Sequence, residues 1–102
     1  MRVRWTDPAH TDFLLQILGY IARHDPAAAA RVGRRLLSAV DHLAGQPRLG
    51  RPGRIAETRE LVIPRLPYVA IYRIVDLAHA ATSQVEVLRI LHGARQWPRN
   101  GG

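Results

Sequence analysis

The sequence predicts an α+β protein of the order β-α-α-β-β-β, in which a helical hairpin packs on a mostly antiparallel sheet. Two observations carry this prediction. Apolar residues recur at helical spacing through the first half of the chain, and three strand-like runs follow in the second half. No linker or low-complexity segment separates these parts, and 102 residues is a usual length for one folded unit. We therefore expect a single domain over residues 1–102.

A short strand and a helix open the chain. Residues 2–5 alternate between arginine and apolar side chains, as a half-exposed strand does. The following Thr6, Asp7 and Pro8 form a typical helix start, because a polar side chain caps the first turn and proline fits within it. The predicted apolar stripe of this helix consists of Leu14, Ile17, Leu18 and Ile21.

The second helix begins with the same kind of signal, an aspartate followed by a proline at residues 25–26. It is expected to end at the Gly-Gln-Pro sequence of residues 45–47. Its predicted apolar stripe consists of Val32, Leu36, Val40 and Leu43. Since almost no linker separates the two helices, they are expected to form an antiparallel hairpin.

A segment rich in glycine, proline and arginine, GQPRLGRPGR at residues 45–54, is predicted as a loop. It is either a solvated connector or a basic loop that approaches phosphates. Three strands are predicted after it, at residues 58–63, 68–75 and 84–92. The short connections between these strands favour antiparallel neighbours.

Side chains alternate along each strand, so each parity is expected to line one face of the sheet. One parity collects Arg59, Leu61, Ile63, Val69, Ile71, Arg73, Val85, Val87, Arg89 and Leu91. The other collects Glu60, Val62, Tyr68, Ala70, Tyr72, Ile74, Glu86, Leu88, Ile90 and His92. Both sets are largely apolar and the hairpin covers only one face, which predicts an uncovered apolar face that binds a partner. Because an unpaired buried arginine is costly, Arg59, Arg73 and Arg89 are expected to meet something anionic.

The amino-acid composition limits the partners and the catalytic groups that this protein can have. The formal net charge is +7, and all 15 residues counted as lysine or arginine are arginine. The excess favours an acidic partner, either nucleic acid or an acidic protein segment, whereas the missing lysine fits a compositional bias. Because arginine does not deprotonate in proteins, histidine is the one basic side chain able to act as a general base. The absence of cysteine excludes disulfides, thiolate metal sites and cysteine catalysis.

The sequence shows no pattern typical of a membrane-spanning, secreted or metal-binding protein. No run of about 18 apolar residues is present, and the first ten residues lack the apolar core of a secretory signal. We therefore expect a cytoplasmic protein without a membrane partner. The histidines in predicted helices and loops do not show metal-ligand spacing, so no metal or other cofactor is expected.

Several segments together resemble the ParE/RelE superfamily of toxins from bacterial type II toxin–antitoxin modules. They are the opening strand ending in Trp5-Thr6, the helical hairpin, and RPGR at 51–54, TREL at 58–61, YVAIYR at 68–73 and LRILHGARQWP at 88–98. The resemblance covers nearly the whole chain and implies the same β-α-α-β-β-β fold. It also implies a cognate antitoxin that wraps the toxin with a helical or extended, often acidic, segment.

The superfamily implies two kinds of target. RelE-like members cleave messenger RNA in the ribosomal A site, whereas ParE-like members inhibit DNA gyrase. For RNA cleavage, the resemblance implies phosphate contacts by Arg73 and Arg59, an acid or base at His92, and a base at Glu60. Strand parity separates Arg73 from Glu60, and Gly93 stands where RNA-cleaving members carry an aromatic residue. The LHGAR ending resembles ParE-like members, so gyrase inhibition is favoured and mRNA cleavage is the alternative.

The remaining expectations concern binding. If the arginines do not act on RNA, they are expected to bind nucleic acid or the antitoxin. These are Arg59, Arg73 and Arg89 in the predicted sheet and Arg95 in the basic tail after it. Trp97 is expected to dock the C-terminal segment on the core. A further interpretation is a non-toxic basic binding module, in which Tyr68 and Tyr72 stack on bases.

Overall fold

In the computed structural model, which describes residues 1–76 and 83–93, two helices pack on a five-stranded mixed sheet. The strands are β1 (Arg2–Trp5), β2 (Arg51–Pro52), β3 (Arg59–Val62), β4 (Tyr68–Asp76) and β5 (Ser83–His92). Their order is β1-β5-β4-β3-β2, with β1 parallel to β5 and the other neighbours antiparallel. The predicted α+β fold is confirmed. The short strand β2 lies within the segment that the sequence predicted as a loop.

The first helix, α1, covers residues 7–22 in three consecutive segments. They are α-helical at Asp7–Thr11, π-helical at Asp12–Leu18 and α-helical again at Gly19–Ala22. The predicted cap is confirmed, because the Thr6 hydroxyl accepts a hydrogen bond from the Ala9 backbone N–H at 3.3 Å.

The π-helical segment changes which apolar side chains of α1 are buried. The Gly19 N–H bonds to the Leu14 carbonyl, five residues earlier instead of four, so the following side chains are rotated relative to a regular α-helix. The apolar side of α1 consists of Ala9, Phe13 and Ile17, with Leu18 and Ile21 partly buried. Leu14 was predicted on this stripe but is 53% exposed. The prediction is wrong there because it assumed uniform α-helical spacing.

The second helix, α2 (Pro26–Asp41), has the start and the apolar stripe that the sequence predicts. The Asp25 carboxylate accepts a hydrogen bond from the Ala28 N–H at 3.0 Å. Its buried positions, together with one in the 3₁₀ turn His42–Ala44, are Ala29, Gly33, Leu36, Val40 and Leu43. The helices approach closely at Gly33, where an added Cβ would lie 3.3 Å from Leu18 Cδ1.

The register between the strands decides which side chains face the helices. Leu61 lies opposite Ala70, and Tyr72 opposite Val87, so residues of unlike parity share a face. Leu88 is an extra residue in β5, a β-bulge that reverses the alternation after it. The inner face, which packs on the helices, consists of Leu61, Ile63, Tyr68, Ala70, Tyr72, Ile74, Val85, Val87 and Ile90. The two predicted parity sets are therefore wrong as faces, because alternation within one strand does not fix the offset between strands.

Candidate functional site

The outer face of the sheet, which points away from the helices, carries two of the predicted site residues, Glu60 and Arg73. Among the described residues it includes Arg4, Glu60, Val62, Val69, Ile71, Arg73, Glu86 and Leu91. Ile71 and Leu91 are 2% and 7% exposed, so the centre of this face is not an open apolar surface. Both line a small recess together with Arg51 and Arg54. The predicted uncovered apolar face is wrong at these positions, since cationic side chains lie beside the apolar centre.

Glu86 holds two arginines on the outer face. Its Oε1 accepts a hydrogen bond from Arg73 Nε at 2.8 Å and lies 2.8 Å from Arg73 Nη2. Its Oε2 accepts a hydrogen bond from Arg4 Nη1 at 2.8 Å. The Glu86 side chain is 11% exposed, whereas those of Arg73 and Arg4 are 50% and 57% exposed. One carboxylate thus positions two half-exposed guanidinium groups, and the cluster keeps a surplus positive charge at the surface.

Glu60 is likewise held by neighbours on the outer face. Its Oε1 lies 3.1 Å from Arg51 Nη2, and its Oε2 accepts the Arg54 backbone N–H at 3.3 Å. The register places Glu60 opposite Ile71, so Glu60 shares a face with Arg73. The predicted separation of Glu60 and Arg73 on opposite faces is therefore wrong. Each nevertheless has its own ion-pair partner.

Arg59 lies on the other face from Arg73 and anchors the loop before β2. It is paired with Tyr72 in the register, and its Nη1 donates to the Gly50 carbonyl at 2.7 Å and the Arg48 carbonyl at 3.4 Å. The expectation that Arg59 and Arg73 contact one phosphate from a common face is wrong. The reason is again the offset between β3 and β4, which strand parity does not specify.

Tyr72, on the inner face of the sheet, also holds the loop before β2. Its hydroxyl donates to the Pro47 carbonyl at 2.6 Å and accepts the Gly50 N–H at 2.9 Å. Burial raises the pKa of Tyr72, while the Gly50 hydrogen bond and the charge of Arg59 act in the opposite direction. Tyr72 is fully buried in the core. The expectation that it stacks on a nucleic-acid base is therefore wrong.

Arg89 binds a carboxylate of α1 with two hydrogen bonds. Its Nε and Nη2 donate to the two oxygens of Asp12 at 2.7 and 3.0 Å, and the Ile90 N–H donates to Asp12 at 3.0 Å. Asp12 is 5% exposed, so a buried acid is neutralised by a strand arginine. The hydrogen bond to Asp12 raises the pKa of Arg89. This geometry assigns Arg89 a structural part, in place of the predicted contact with an external anion.

His92 lies at the end of β5, where its ring meets Tyr68 edge-on with a centroid distance of 5.9 Å. Burial raises the pKa of Tyr68. His92 and Glu60 line the same small recess as Arg51 and Arg54. The recess thus brings together His92, the predicted acid or base, and Glu60, the predicted base. Arg59 lies on the other face of the sheet and does not line this recess. Arg95 and Trp97 lie outside the described residues.

Sequence reasoning missed the acids that hold these arginines. Asp12 precedes the core residue Phe13 and follows Ala9 by three, so helical spacing already put an acid on the apolar side of α1. Because a buried acid requires a cation nearby, an arginine inside a strand, such as Arg89, could have indicated the partner of Asp12. Glu86 gave no comparable signal, because its partners depend on the pairing of β5 with both β1 and β4. Within residues 1–76 and 83–93, no group of three potential ligands has metal-binding geometry.

Comparisons with known proteins agree with this fold. The protein-family model described as ParE toxin of type II toxin–antitoxin system, parDE, matches residues 3–97 of this chain. The Sinorhizobium fredii protein "Putative toxin Y4kP" is 47% identical over 98 residues, covering 96% of this chain and 94% of that protein. Toxin RelE2 of Caulobacter vibrioides is 40% identical over 94 residues, covering 92% and 97%.

A solved structure supports the fold independently. A chain of the chromosomal ParDE toxin–antitoxin system from P. aeruginosa superimposes with a TM-score of 0.74 at 23% identity, covering 90% of this chain and 95% of that chain. No helix in the described part of the chain is long and apolar enough to cross a membrane. Because the family model spans nearly the whole chain and close relatives are toxins, this chain belongs to the ParE toxin family and is the toxin of a type II toxin–antitoxin module, which implies a cognate antitoxin.

Proposed function

We propose that this toxin acts in the cytoplasm by ParE-like inhibition of DNA gyrase, through binding and not through RNA cleavage. The observation that carries the proposal is that the charges assigned to RNA cleavage already have partners within the protein. Arg73 is held by Glu86 at 2.8 Å, and Glu60 by Arg51 at 3.1 Å. Cleavage of RNA requires a base, an acid and a phosphate ligand around one ribose, and Arg59 lies on the other face of the sheet.

One observation favours the alternative, RelE-like cleavage of messenger RNA. Glu60 and His92 line a common recess with Arg51 and Arg54, so an acid–base pair and two cations are near one another. A relative that is 40% identical also carries the name RelE2. In this alternative Arg51 replaces Arg59 as the phosphate ligand beside Arg73.

The experiment that separates the two functions is pulse labelling of DNA and protein synthesis, minutes after the toxin alone is induced in bacteria. Gyrase inhibition predicts that DNA synthesis falls first and that the purified toxin blocks supercoiling by gyrase. Arg73→Ala is then expected to arrest growth within about threefold of the unmodified toxin, because its charge is not used in chemistry. Arg23→Ala, at an exposed position in the turn between the helices, is the matched control.

The opposite result is equally specific. Early collapse of protein synthesis, with transcript cleavage lost in Arg73→Ala or His92→Ala and kept in Arg23→Ala, would replace gyrase inhibition by mRNA cleavage. Normal growth at confirmed high expression would favour the non-toxic binding module. Arg95 stays a proposed contact to the target or antitoxin, and Arg95→Ala belongs in the same set of variants.

A further inference from the structure

A groove runs between α2 and the edge of β3. Its volume is about 1090 Å³, slightly above the range of roughly 300–1,000 Å³ that is usual for small-molecule sites. The apolar part of its lining consists of Ala39, Leu49, Leu61, Val62 and Pro64. Leu49 and Val62 are 53% and 52% exposed, so the groove offers apolar surface to a ligand.

The charge of this groove is strongly one-sided. Among the described residues, the one lining acid is Glu60, which is 6% exposed and paired with Arg51. Five arginines and this glutamate give the described lining a net charge of +4. The groove therefore favours a ligand with several negative charges. The five arginines, all exposed, are Arg31, Arg34, Arg35, Arg51 and Arg65.

The three arginines of α2 differ from those of the sheet. Arg31, Arg34 and Arg35 have no acidic partner in the part of the chain that the structure describes. Arg31 and Arg35 are one helical turn apart, so two like charges lie side by side and repel each other. A guanidinium matches a phosphate group with two parallel hydrogen bonds. Several guanidinium groups in one groove therefore fit an oligophosphate, which places several charges within a short length.

The edge of β3 presents a donor and an acceptor of the backbone to the same groove. Strand β2 pairs only with the first two residues of β3, so Val62 has no strand partner on this edge among residues 1–76 and 83–93. The Ile63 N–H donates to the Tyr68 carbonyl on the β4 side at 3.0 Å. Because backbone groups alternate in direction along an antiparallel strand, the N–H and C=O of Val62 both point to the free edge.

A donor beside an acceptor matches the edge of adenine, which carries the N7 acceptor next to the N6 amino donor. The same edge of guanine carries two acceptors, N7 and O6, and one of them would face the Val62 carbonyl oxygen. Leu49 and Val62 offer apolar contact to a flat base, and guanidinium planes also stack on bases. The described lining contains no Trp, Tyr or Phe, on which nucleic-acid strands stack successive bases, so a single base fits better than a strand.

We propose that this groove binds an adenine nucleotide that carries several phosphates, a class for which ATP is the probe. The adenine pairs with the backbone of Val62 and lies on Leu49, and the phosphates lie between Arg31 and Arg35. Because the lining carboxylate is already paired with Arg51, the phosphates are neutralised by arginine and binding does not depend on magnesium. The inference concerns a ligand of the toxin alone, so it is independent of the toxin's target.

The test measures ATP binding to the full-length toxin by calorimetry, at low salt and with EDTA present. GTP tests the choice of base, inorganic tripolyphosphate tests the phosphates alone, and adenosine tests the base alone. A short oligodeoxyadenosine presents the same base in a nucleic-acid strand. Amide hydrogen exchange of Val62 is followed in parallel, because a hydrogen bond from this amide to adenine slows its exchange, whereas phosphate binding to the arginines does not.

ATP is expected to bind at least about tenfold more tightly than GTP, tripolyphosphate or adenosine, because each of these lacks part of the match. Saturating ATP is expected to slow exchange at Val62 at least about tenfold, and saturating tripolyphosphate to leave it unchanged. The two readouts separate recognition of the base from general attraction between a polyanion and a basic surface.

Arg31→Ala combined with Arg35→Ala is expected to weaken ATP binding at least about tenfold, because two charge-assisted contacts are lost. Arg2→Ala combined with Arg23→Ala removes the same charge outside the groove and is expected to weaken binding less than about threefold. Thermal unfolding without ligand checks that both double variants fold. The groove variant is not expected to melt earlier than the unmodified toxin, because its substitutions remove a repulsion.

Each of the following results would overturn the inference. ATP that does not bind at about 1 mM, or that binds equally weakly in the two double variants, would show that the groove is not its site. GTP or tripolyphosphate binding as tightly as ATP, or unchanged exchange at Val62 with ATP bound, would remove the adenine contact. Tighter binding of the oligodeoxyadenosine than of ATP would assign the groove to nucleic acid.

Discussion

Asp12 connects two elements that are far apart in the chain. It accepts three hydrogen bonds from β5, two from the Arg89 guanidinium and one from the Ile90 backbone. Strand β1 ends at Trp5, opposite Val87, so the edge of β5 beyond that point lacks a strand neighbour among the described residues. The buried Asp12 carboxylate accepts the Ile90 N–H at this edge and at the same time pairs with the partly exposed Arg89 guanidinium.

Asp12→Asn is therefore expected to lower the free energy of unfolding by roughly 1–3 kcal/mol, because the buried position loses the charge that accepts two hydrogen bonds from Arg89 and one from Ile90. Urea denaturation measures the change. Asp41→Asn, at an exposed position of α2, is the control and should stay within about 0.5 kcal/mol. Equal effects of the two substitutions would show that the Asp12 contact is not stabilising.

Tyr72 gives a second prediction, this one dependent on pH. Burial raises the pKa of Tyr72 above its usual 10.0. The folded protein then keeps a proton that the unfolded chain has lost, so the free energy of unfolding falls as pH rises above 10.0. Tyr72→Phe is expected to cost about 1–2 kcal/mol at neutral pH through its two hydrogen bonds, and to flatten the alkaline decline.

The measurement is a series of urea denaturations on both sides of pH 10.0. In the Tyr72→Phe variant, the fall in the free energy of unfolding above pH 10.0 is expected to be smaller but still present, because burial also raises the pKa of Tyr68. Tyr20→Phe, at a side chain that is 59% exposed, serves as control. If Tyr72→Phe left the alkaline slope unchanged, Tyr72 would not be the group that titrates.

At the scale of elements, the loop before β2 is fixed by contact with β3 and β4. Gly50 lies against this sheet so closely that an added Cβ would be 2.7 Å from the Tyr72 hydroxyl and 3.0 Å from the Glu60 carbonyl carbon. At Gly45, in the same connection, no such neighbour lies within 4 Å. The sequence pattern GQPRLGRPGR predicted a loop but did not indicate which glycine the packing requires.

Gly50→Ala is accordingly expected to destabilise the fold by about 2 kcal/mol or more, because backbone and a buried ring must move. Gly45→Ala is expected to change stability by less than about 1 kcal/mol, and in the stabilising direction, by restricting the unfolded chain. Thermal unfolding of the two variants compares them directly. A Gly50→Ala protein as stable as Gly45→Ala would mean that the loop does not pack as described.

The whole molecule carries a formal net charge of +7. Most ion pairs that the sheet uses are half-exposed on the arginine side and so contribute little each. Repulsion among the surplus arginines acts over longer distances and is screened by salt.

We therefore expect the urea midpoint to rise when sodium chloride increases from about 20 to about 200 mM, since the Debye length shortens over this range. A midpoint that falls with salt would show that the ion pairs outweigh the general repulsion.

The sequence by itself determined the elements and the family. Capping residues, helical stripes and strand runs are local patterns, so both helix starts, the stripe of α2 and four of the five strands were predicted from neighbouring residues alone. The resemblance to ParE/RelE toxins also follows from ordered local segments, and the family model confirms it.

Only the tertiary structure decided which residues meet. The offset of β3 against β4 put Glu60 on the face of Arg73 and Arg59 on the other, and the bulge at Leu88 reversed the alternation of β5. The π-helical bond at Gly19 turned Leu14 to solvent. Each of these depends on hydrogen bonds between distant segments or on one irregular turn. A one-residue change moves a strand side chain to the opposite face and rotates a helical side chain by about 100°.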